Sequence, residues 1–227
     1  MTSASRARAE IVATARALVA RGLTHGKSGN VSVRGGRGMW ITPSGLAYES
    51  MRAADVVDTT LDGRSTGPLA PSSEWRFHAA IYAARPEVGA VVHAHSRAAT
   101  ALACHRRGIP AFHYMVAVAG GTDVRCAPYS TFGTDALAAS AVAALHGRRA
   151  CLLANHGQIA VGADLASALA LAGEVENLAD QYLAALTMGE PVLLSASEMS
   201  EVLEKFRTYG VPRASKARPA RRRRVRG

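Results

Sequence analysis

The chain has 227 residues, of which 48% are hydrophobic and 19% are charged, and its formal net charge at pH 7 is +10. This length and composition suit one soluble domain with a substantial core. No apolar run approaches the roughly 20 residues that a membrane-spanning helix needs, and no signal-peptide core is recognisable. We therefore expect a cytoplasmic protein without a membrane partner.

The positive charge is concentrated towards the C-terminus. Residues 211–227 contain eight basic and no acidic residues, and subtracting these eight from +10 leaves +2 for the rest of the chain. Because this segment lacks aromatic residues and apolar periodicity, we expect residues 211–227 to be a disordered Arg-rich tail and residues 1–210 to be the folded domain. A solvated extension without a role and a non-specific contact with a polyanion are both compatible with this composition.

Helical and strand patterns interleave along the chain. The sequence predicts strands near residues 31–33, 39–41, 56–61, 90–95, 151–156 and 157–161, and helices near residues 5–21, 75–86, 134–145, 164–187 and 197–206, with a further helix ending near 105. Hairpin turns lie among the strands. This alternation indicates an α/β fold with a mixed central sheet covered by helices.

The first loop, residues 24–30, is rich in glycine and small polar residues. It includes Lys27 and Ser28 but has Arg21 where a phosphate-binding P-loop needs its first glycine. It also precedes a strand, whereas a P-loop opens a helix. The sequence therefore argues against a nucleotide-binding fold, although such a turn can present backbone N–H groups to an anion.

Two later segments have a similar character. The turn at Ser44 and Gly45 follows a strand, and Ser72 and Ser73 precede the helix that begins near residue 75. A helix N-terminus bearing two hydroxyls can bind an anion, but the same serines can simply cap the helix, and both readings remain open. Glu74 lies in the first turn, where the helix dipole favours a carboxylate in any case.

Residues 90–96 place two imidazoles two positions apart in a β-branched run. In a strand, His93 and His95 point to the same face and can converge on one divalent metal. Such a pair alone more often has no functional role than binds a metal. Here a carboxylate, Glu74, precedes it and a third histidine, His156, closes a later apolar run. Three histidines with one nearby carboxylate form a ligand set typical of catalytic zinc.

Six motifs in register resemble those of the class II aldolase/adducin family. The likeness covers the chain through residue 210, and within the family it is nearest to the enzymes acting on L-fuculose 1-phosphate. Its motifs are Gly26-x-x-Gly29-Asn30-Val31-Ser32, residues 41–45, residues 71–78, Val91-Val92-His93-Ala94-His95, Ile109-Pro110-x-x-His113-Tyr114-Met115 and Asn155-His156-Gly157.

The resemblance implies a single-domain three-layer sandwich and a site that holds Zn²⁺. Its metal ligands would be His93, His95 and His156, together with Glu74, which would also serve as acid and base once substrate displaces it. The substrate phosphate would be held by residues matching Gly29, Asn30, Ser44, Gly45, Ser72 and Ser73. Lys27 departs from the family pattern, in which we expect a small hydroxyl residue, and adds a cation to the first loop.

The resemblance also implies a homotetramer with active sites between subunits, to which residues matching Tyr114 and Tyr209 contribute from a neighbour. The implied reaction cleaves a ketose 1-phosphate to dihydroxyacetone phosphate and a short hydroxyaldehyde such as L-lactaldehyde. Zinc would act as Lewis acid, Tyr114 would manage the proton on the C4 oxygen, and Glu74 would protonate the carbon released by cleavage.

Other activities of the same fold remain as alternatives. A 5-deoxypentulose-1-phosphate aldolase would share nearly every motif, and a sugar-phosphate epimerase or a methylthioribulose-phosphate dehydratase would share the three histidines. Glu74 with Tyr114 and Tyr209 favours an aldolase. Adducin-like scaffolds lose the metal ligands, which this chain keeps. A nucleic-acid role for the tail would be an addition, since no base-stacking aromatics accompany its charge.

Overall fold

The computed structural model describes residues 3–35 and 38–207. Within them, one sheet runs through the molecule, and its strands in chain order are β1 (Asn30–Arg34), β2 (Gly38–Ile41), β3 (Val57–Thr60), β4 (Ser65–Thr66), β5 (Ala90–Ala94), β6 (Arg125–Ala127), β7 (Ala150–Leu153) and β8 (Gly157–Gly162). Their order across the sheet is β4-β3-β2-β1-β5-β8-β7-β6. The β6–β7 pair is parallel and the other pairs are antiparallel, so the sheet is mixed, as the sequence predicts.

Helices cover both faces of this sheet. They are α1 (Ser3–Ala20), α2 (Trp75–Ala84), α3 (Arg97–Cys104), α4 (Asp135–Ala144), α5 (Leu165–Leu186) and α6 (Ala196–Phe206), with 3-10 helices at Ala53–Asp55 and Tyr114–Ala119. One core cluster joins α1, α3 and α5 to the face that carries Val92, and a second joins α2 and α4 to the face that carries Val91. Alternate side chains of β5 therefore belong to two core clusters, one on each face of the sheet. The predicted single-domain three-layer arrangement is confirmed.

The start of α2 differs from the sequence prediction. Glu74 occupies the N-cap position and its side chain makes no capping hydrogen bond, so of the two interpretations left open for Ser72 and Ser73, simple capping of the helix is not observed. The Ser72 hydroxyl instead accepts a hydrogen bond of 3.3 Å from the backbone N–H of Glu74, within the turn that precedes the helix. At its other end α2 stops at Ala84, two residues before Pro86.

Some elements carry no recognisable sequence signal, among them β6 and the second 3-10 helix. Strand β6 is three residues long and contains an arginine and a cysteine, so it has neither the length nor the alternation of a strand. It exists because it pairs with β7. The segment after Ile109, which the sequence presents as a loop, contains the 3-10 helix Tyr114–Ala119, and Gly120 ends this helix in the left-handed conformation.

Two of the sequence predictions concern residues outside the described ranges. Tyr209 and the Arg-rich segment 211–227 both lie there, so the role of the first and the character of the second stay predictions. Across residues 3–35 and 38–207, none of the helices combines the length and the apolar character that crossing a bilayer requires.

Candidate metal centre and anion-binding cavity

The four predicted metal ligands come from three distant parts of the chain. His93 lies in the central strand β5, where Asn30 of β1 and Ile159 of β8 are its cross-strand partners. His95 follows directly after the end of β5, and His156 lies in the turn between β7 and β8. Glu74 precedes α2. The fold therefore brings together, at the ends of central strands, four side chains that lie up to 82 positions apart in the sequence.

The three imidazoles surround one point. Each pair of ring centroids is 4.8 Å apart, and the ring planes are inclined by 74–76° to one another. The Nε2 atoms of His93 and His95 are 2.9 Å apart. The carboxylate of Glu74 completes the group, with Oε2 lying 3.2 Å from His93 Nε2 and Oε1 lying 3.2 Å from His156 Nε2. One donor atom from each residue lies within 4.8 Å of every other.

The hydrogen bonds around this cluster fit a bound cation. His93 Nδ1 donates to the backbone carbonyl of Gln158 at 2.8 Å, which leaves Nε2 of the neutral ring as an acceptor that points into the cluster. Oε1 of Glu74 is buried and has no hydrogen-bond partner. Nitrogen lone pairs and a carboxylate facing one another need positive charge between them, and a divalent cation such as Zn²⁺ suits this donor set.

The electrostatics of the cluster set its protonation state. Burial alone would raise the pKa of Glu74, but the nearby imidazoles of His93 and His156 outweigh it and hold that pKa well below its usual range. Burial, with a smaller effect of the neighbouring His93 and His156, lowers the pKa of His95 to about 3. Near neutral pH the carboxylate is therefore ionised and the His95 imidazole neutral, as metal ligands must be.

A cavity of about 350 Å³ opens beside the cluster. Glu74, His95 and His156 form part of its wall, and all six residues predicted to bind phosphate line it as well, namely Gly29, Asn30, Ser44, Gly45, Ser72 and Ser73. The three anion-friendly segments recognised in the sequence thus meet in one place. Hydroxyl groups and glycine backbone there face the same space as the metal ligands.

Backbone contacts hold these segments together. Pro43 and Pro71 form an isolated antiparallel bridge. On either side of it, the Ser44 N–H donates to Ala70 and the Ser72 N–H donates to Thr42, each at 3.0 Å. This bridge joins the turn after β2 to the start of α2. Two segments that lie 28 positions apart in the sequence, at Pro43 and Pro71, therefore line one cavity.

The first loop is fixed by its glycine. The Tyr48 hydroxyl donates to the Gly29 carbonyl at 2.6 Å. Gly29 has a φ of +78°, and a Cβ at this position would lie 2.6 Å from the carbonyl oxygen of His93. Only glycine allows the loop to approach β5 this closely. The first loop and strand β5 therefore approach each other closely along their backbones.

Several residues that line the cavity were not assigned to the site from the sequence. Tyr129, Ser130 and Phe132 line the cavity from the loop between β6 and α4, and Asn155 lines it beside His156. Because β6 has no strand signal, nothing in the sequence places the loop that follows it. Tyr129 and Phe132 are 55% and 64% exposed, so this loop adds exposed aromatic surface to the cavity.

Tyr114 lies apart from the cavity within its own chain. It begins the 3-10 helix Tyr114–Ala119. It is 49% exposed and is absent from the residues that line the cavity. The structure therefore brings together all the predicted metal and phosphate residues, but it does not bring Tyr114 to them in one subunit.

Comparisons with known proteins agree with this site. A family model described as "Class II Aldolase and Adducin N-terminal domain" matches residues 9–183. A 5-methylthioribulose-1-phosphate/5-deoxyribulose-1-phosphate aldolase of Rhodospirillum rubrum is 54% identical over 200 residues, which are 88% of this chain and 90% of the relative. An L-fuculose phosphate aldolase of Escherichia coli (strain K12) is 47% identical over 203 residues, 89% of this chain and 94% of the relative.

The fold agrees as well. A solved structure of an L-fuculose 1-phosphate aldolase superposes with a TM-score of 0.86 at 42% identity and covers 91% of this chain and 98% of its own. With the family model matching most of the described residues and the ligand cluster in place, the chain belongs to the class II aldolase and adducin family and is a class II aldolase, a carbon–carbon lyase.

Proposed function

We propose that this chain is a zinc-dependent aldolase that reversibly cleaves a ketose 1-phosphate to dihydroxyacetone phosphate and a short hydroxyaldehyde. The observation that carries the proposal is the meeting of two sites. The cluster of three histidines and Glu74 borders a cavity that is also lined by glycines and serines. A phosphate held by these glycines and serines would place the ketone end of the substrate beside the cluster.

We assign metal binding to His93, His95 and His156, together with Glu74 before substrate enters. A bound divalent cation supplies Lewis-acid stabilisation of the negative charge that develops when a bond beside a ketone breaks. Glu74 is the residue placed to carry a proton. It is 6% exposed, and one of its oxygens already accepts a hydrogen bond of 3.0 Å from the Asn30 amide.

The phosphate site is assigned to the turns that line the cavity. Serine hydroxyls and backbone N–H groups can donate to phosphate oxygens without adding charge. The residues assigned to it are Gly29, Asn30, Ser44, Gly45, Ser72 and Ser73. Lys27 also lines the cavity and adds a cation to this wall, which favours a substrate with a dianionic phosphate.

The reaction requires two proton transfers. As the C3–C4 bond of the ketose breaks, its electron pair remains on C3, and the C4 hydroxyl loses its proton to become an aldehyde. We assign the C4 proton to Tyr114 of a neighbouring subunit, because a phenol can accept this proton while it passes its own proton to water, and so stays neutral near pH 7. Once substrate has displaced Glu74 from the cluster and the carboxylate has taken up a proton from water, Glu74 delivers that proton to C3 and completes dihydroxyacetone phosphate. Tyr209 is assigned to the same shared site, in a homotetramer.

We propose that the aldehyde part of the substrate contacts Tyr129 and Phe132. These two exposed rings give the cavity an aromatic surface. L-Fuculose 1-phosphate, 5-deoxyribulose 1-phosphate and 5-methylthioribulose 1-phosphate all end in a methyl or methylthio group that such a surface can cover. These are the substrates named for the similar aldolases, and we propose that the substrate of this chain belongs to this group.

A panel of ketose 1-phosphates tests the proposal. The assay measures release of dihydroxyacetone phosphate through NADH oxidation by a coupling dehydrogenase. Metal-depleted protein and the His156→Ala variant serve as controls, and both should be inactive. Adding zinc should restore activity to the metal-depleted protein but not to His156→Ala. An epimerase or a dehydratase would instead convert the ketose phosphate without releasing dihydroxyacetone phosphate. That outcome, or no conversion of any member of the panel, would contradict the proposal.

A further inference from the structure

A line of five buried polar side chains ends at the Glu74 carboxylate. The Tyr82 hydroxyl lies 2.8 Å from Ser32 Oγ, and Ser32 Oγ lies 2.7 Å from Nδ1 of His78. Nε2 of His78 is hydrogen-bonded to Oδ1 of Asn30, and Nδ2 of Asn30 lies 3.0 Å from Oε2 of Glu74. All five residues are buried, and three of them, Ser32, His78 and Tyr82, have no role in the proposed function.

The chemistry of these groups fixes the direction of every hydrogen bond. An ionised carboxylate only accepts, so Asn30 must turn its NH₂ group towards Glu74 and its carbonyl towards His78. The carbonyl also only accepts, so His78 carries its proton on Nε2. Nδ1 of the neutral ring then accepts from Ser32, whose oxygen in turn accepts from Tyr82. Every donor in the line points towards Glu74.

The reverse arrangement would be costly in this environment. If the His78 proton were on Nδ1, Nε2 would need a donor, and the Asn30 amide would have to rotate its NH₂ group towards the ring. The Asn30 carbonyl oxygen would then face the Glu74 carboxylate, leaving two acceptors in contact in a buried site. Burial lowers the pKa of His78 to about 3, so its ring is neutral near pH 7.

We propose that His78 is a positioning residue. Through its Nε2–H it holds the Asn30 amide in the one orientation that donates to Glu74, and so keeps the carboxylate directed at the three histidines. Ser32 and Tyr82 fix the tautomer of His78 from behind. The inference rests on the proposed function for the role of Glu74, but the orientation of the line itself can be measured without substrate.

The first experiment reads the tautomer directly. In protein with ¹⁵N-labelled histidine, long-range ¹H–¹⁵N correlations at pH 7 distinguish a ring protonated on Nε2 from one protonated on Nδ1. The His78 signals are identified by their loss in the His78→Gln variant. We expect the Nε2–H form in the metal-free and the zinc-loaded protein. A ring protonated on Nδ1 in both forms would overturn the proposal.

The second experiment compares two substitutions at position 78. His78→Gln keeps an amide N–H near the place of Nε2, whereas His78→Met fills a similar volume without a donor. We expect His78→Met to lower zinc affinity, measured by competition with a chromophoric chelator, roughly 10- to 100-fold, as for other groups that orient a metal ligand. His78→Gln should keep most of the wild-type zinc affinity. We expect kcat to be highest in the wild type, intermediate in His78→Gln and lowest in His78→Met.

A control separates positioning from packing. Ile81 is buried on the same helix and belongs to the core cluster that includes Tyr82, but it is not part of the polar line. Ile81→Val should lower the midpoint of thermal unfolding without changing zinc affinity or kcat. Wild-type zinc affinity in His78→Met, or equal losses in both position-78 variants, would overturn the inference. If the wild type releases no dihydroxyacetone phosphate, the proposed function fails, while the tautomer and the zinc affinities still decide this one.

Discussion

Asn30 and His93 face each other across the antiparallel β1–β5 pair. One belongs to the loop and strand that border the anion-binding cavity, and the other is a predicted metal ligand. Their pairing means that the register of two neighbouring strands sets the spacing between the two halves of the site. A slip of β1 by one residue would turn the Asn30 side chain to the opposite face of the sheet, so the register of this strand pair decides whether the two halves of the site meet.

The role of Glu74 predicts a large effect of a nearly isosteric change. Glu74→Gln keeps the shape of the side chain but cannot accept a proton, so kcat for the substrate found in the panel should fall by roughly 10²- to 10⁴-fold. Substrate binding should survive, because the cavity wall is unchanged. Steady-state kinetics on zinc-loaded protein provide the measurement. Activity within a few-fold of wild type would remove Glu74 from the mechanism.

The two glycines of the first loop allow a matched comparison. Gly26 and Gly29 have φ values of +61° and +78°, so an alanine at either position bears the cost of a left-handed conformation, about 1–2 kcal/mol. At Gly26 the added Cβ has nothing within 4 Å, whereas at Gly29 it would lie 2.6 Å from the His93 carbonyl. Gly29→Ala should therefore lower the free energy of unfolding more and also raise KM. Equal effects in urea unfolding and kinetics would show that the close approach is unimportant.

The exposed position of Tyr114 predicts complementation between subunits. Tyr114→Phe should keep the fold and the zinc content but lose most turnover, and His93→Ala should lose zinc and turnover. If a neighbour supplies Tyr114, mixing the two inactive proteins should restore part of the activity, because some sites then combine an intact ligand set with an intact tyrosine. Exchange of subunits is verified separately by mass spectrometry. Exchange without recovered activity would assign Tyr114 to its own chain or to no catalytic role.

Burial of His78 predicts a specific pH dependence of stability. Its pKa falls from 6.5 to about 3 on folding, so below pH 6.5 the unfolded chain takes up a proton that the folded chain does not. Stability is therefore lost as the pH falls from about 6.5 towards 3. Between pH 7 and pH 5 the metal-free wild type should lose about 2 kcal/mol more than His78→Gln. Urea unfolding at both pH values measures this, and parallel losses would contradict it.

The sequence by itself indicated the candidate ligands of this protein. The spacing of His93 and His95 in a β-branched run predicted that they converge, and both belong to one cluster, with His93 in β5 and His95 directly after it. The glycine-rich turns predicted anion-binding segments, and these line one cavity. Such features are local, because they depend on strand periodicity and on backbone conformations that neighbouring residues dictate. Local patterns of this kind can be read without knowing what packs against them.

Tertiary structure decided the contacts that no spacing encodes. Strand β6 exists only by pairing with β7, so the loop that brings Tyr129 and Phe132 to the cavity had no signal in the sequence. In the sequence, His78 is one more residue of a predicted helix. Its hydrogen-bond partners are known only from the fold, because packing of β1 against α2 brings Ser32 and Asn30 to its two ring nitrogens. Hydrogen-bond directions depend on which groups meet across the core, and that is a property of the fold rather than of any segment.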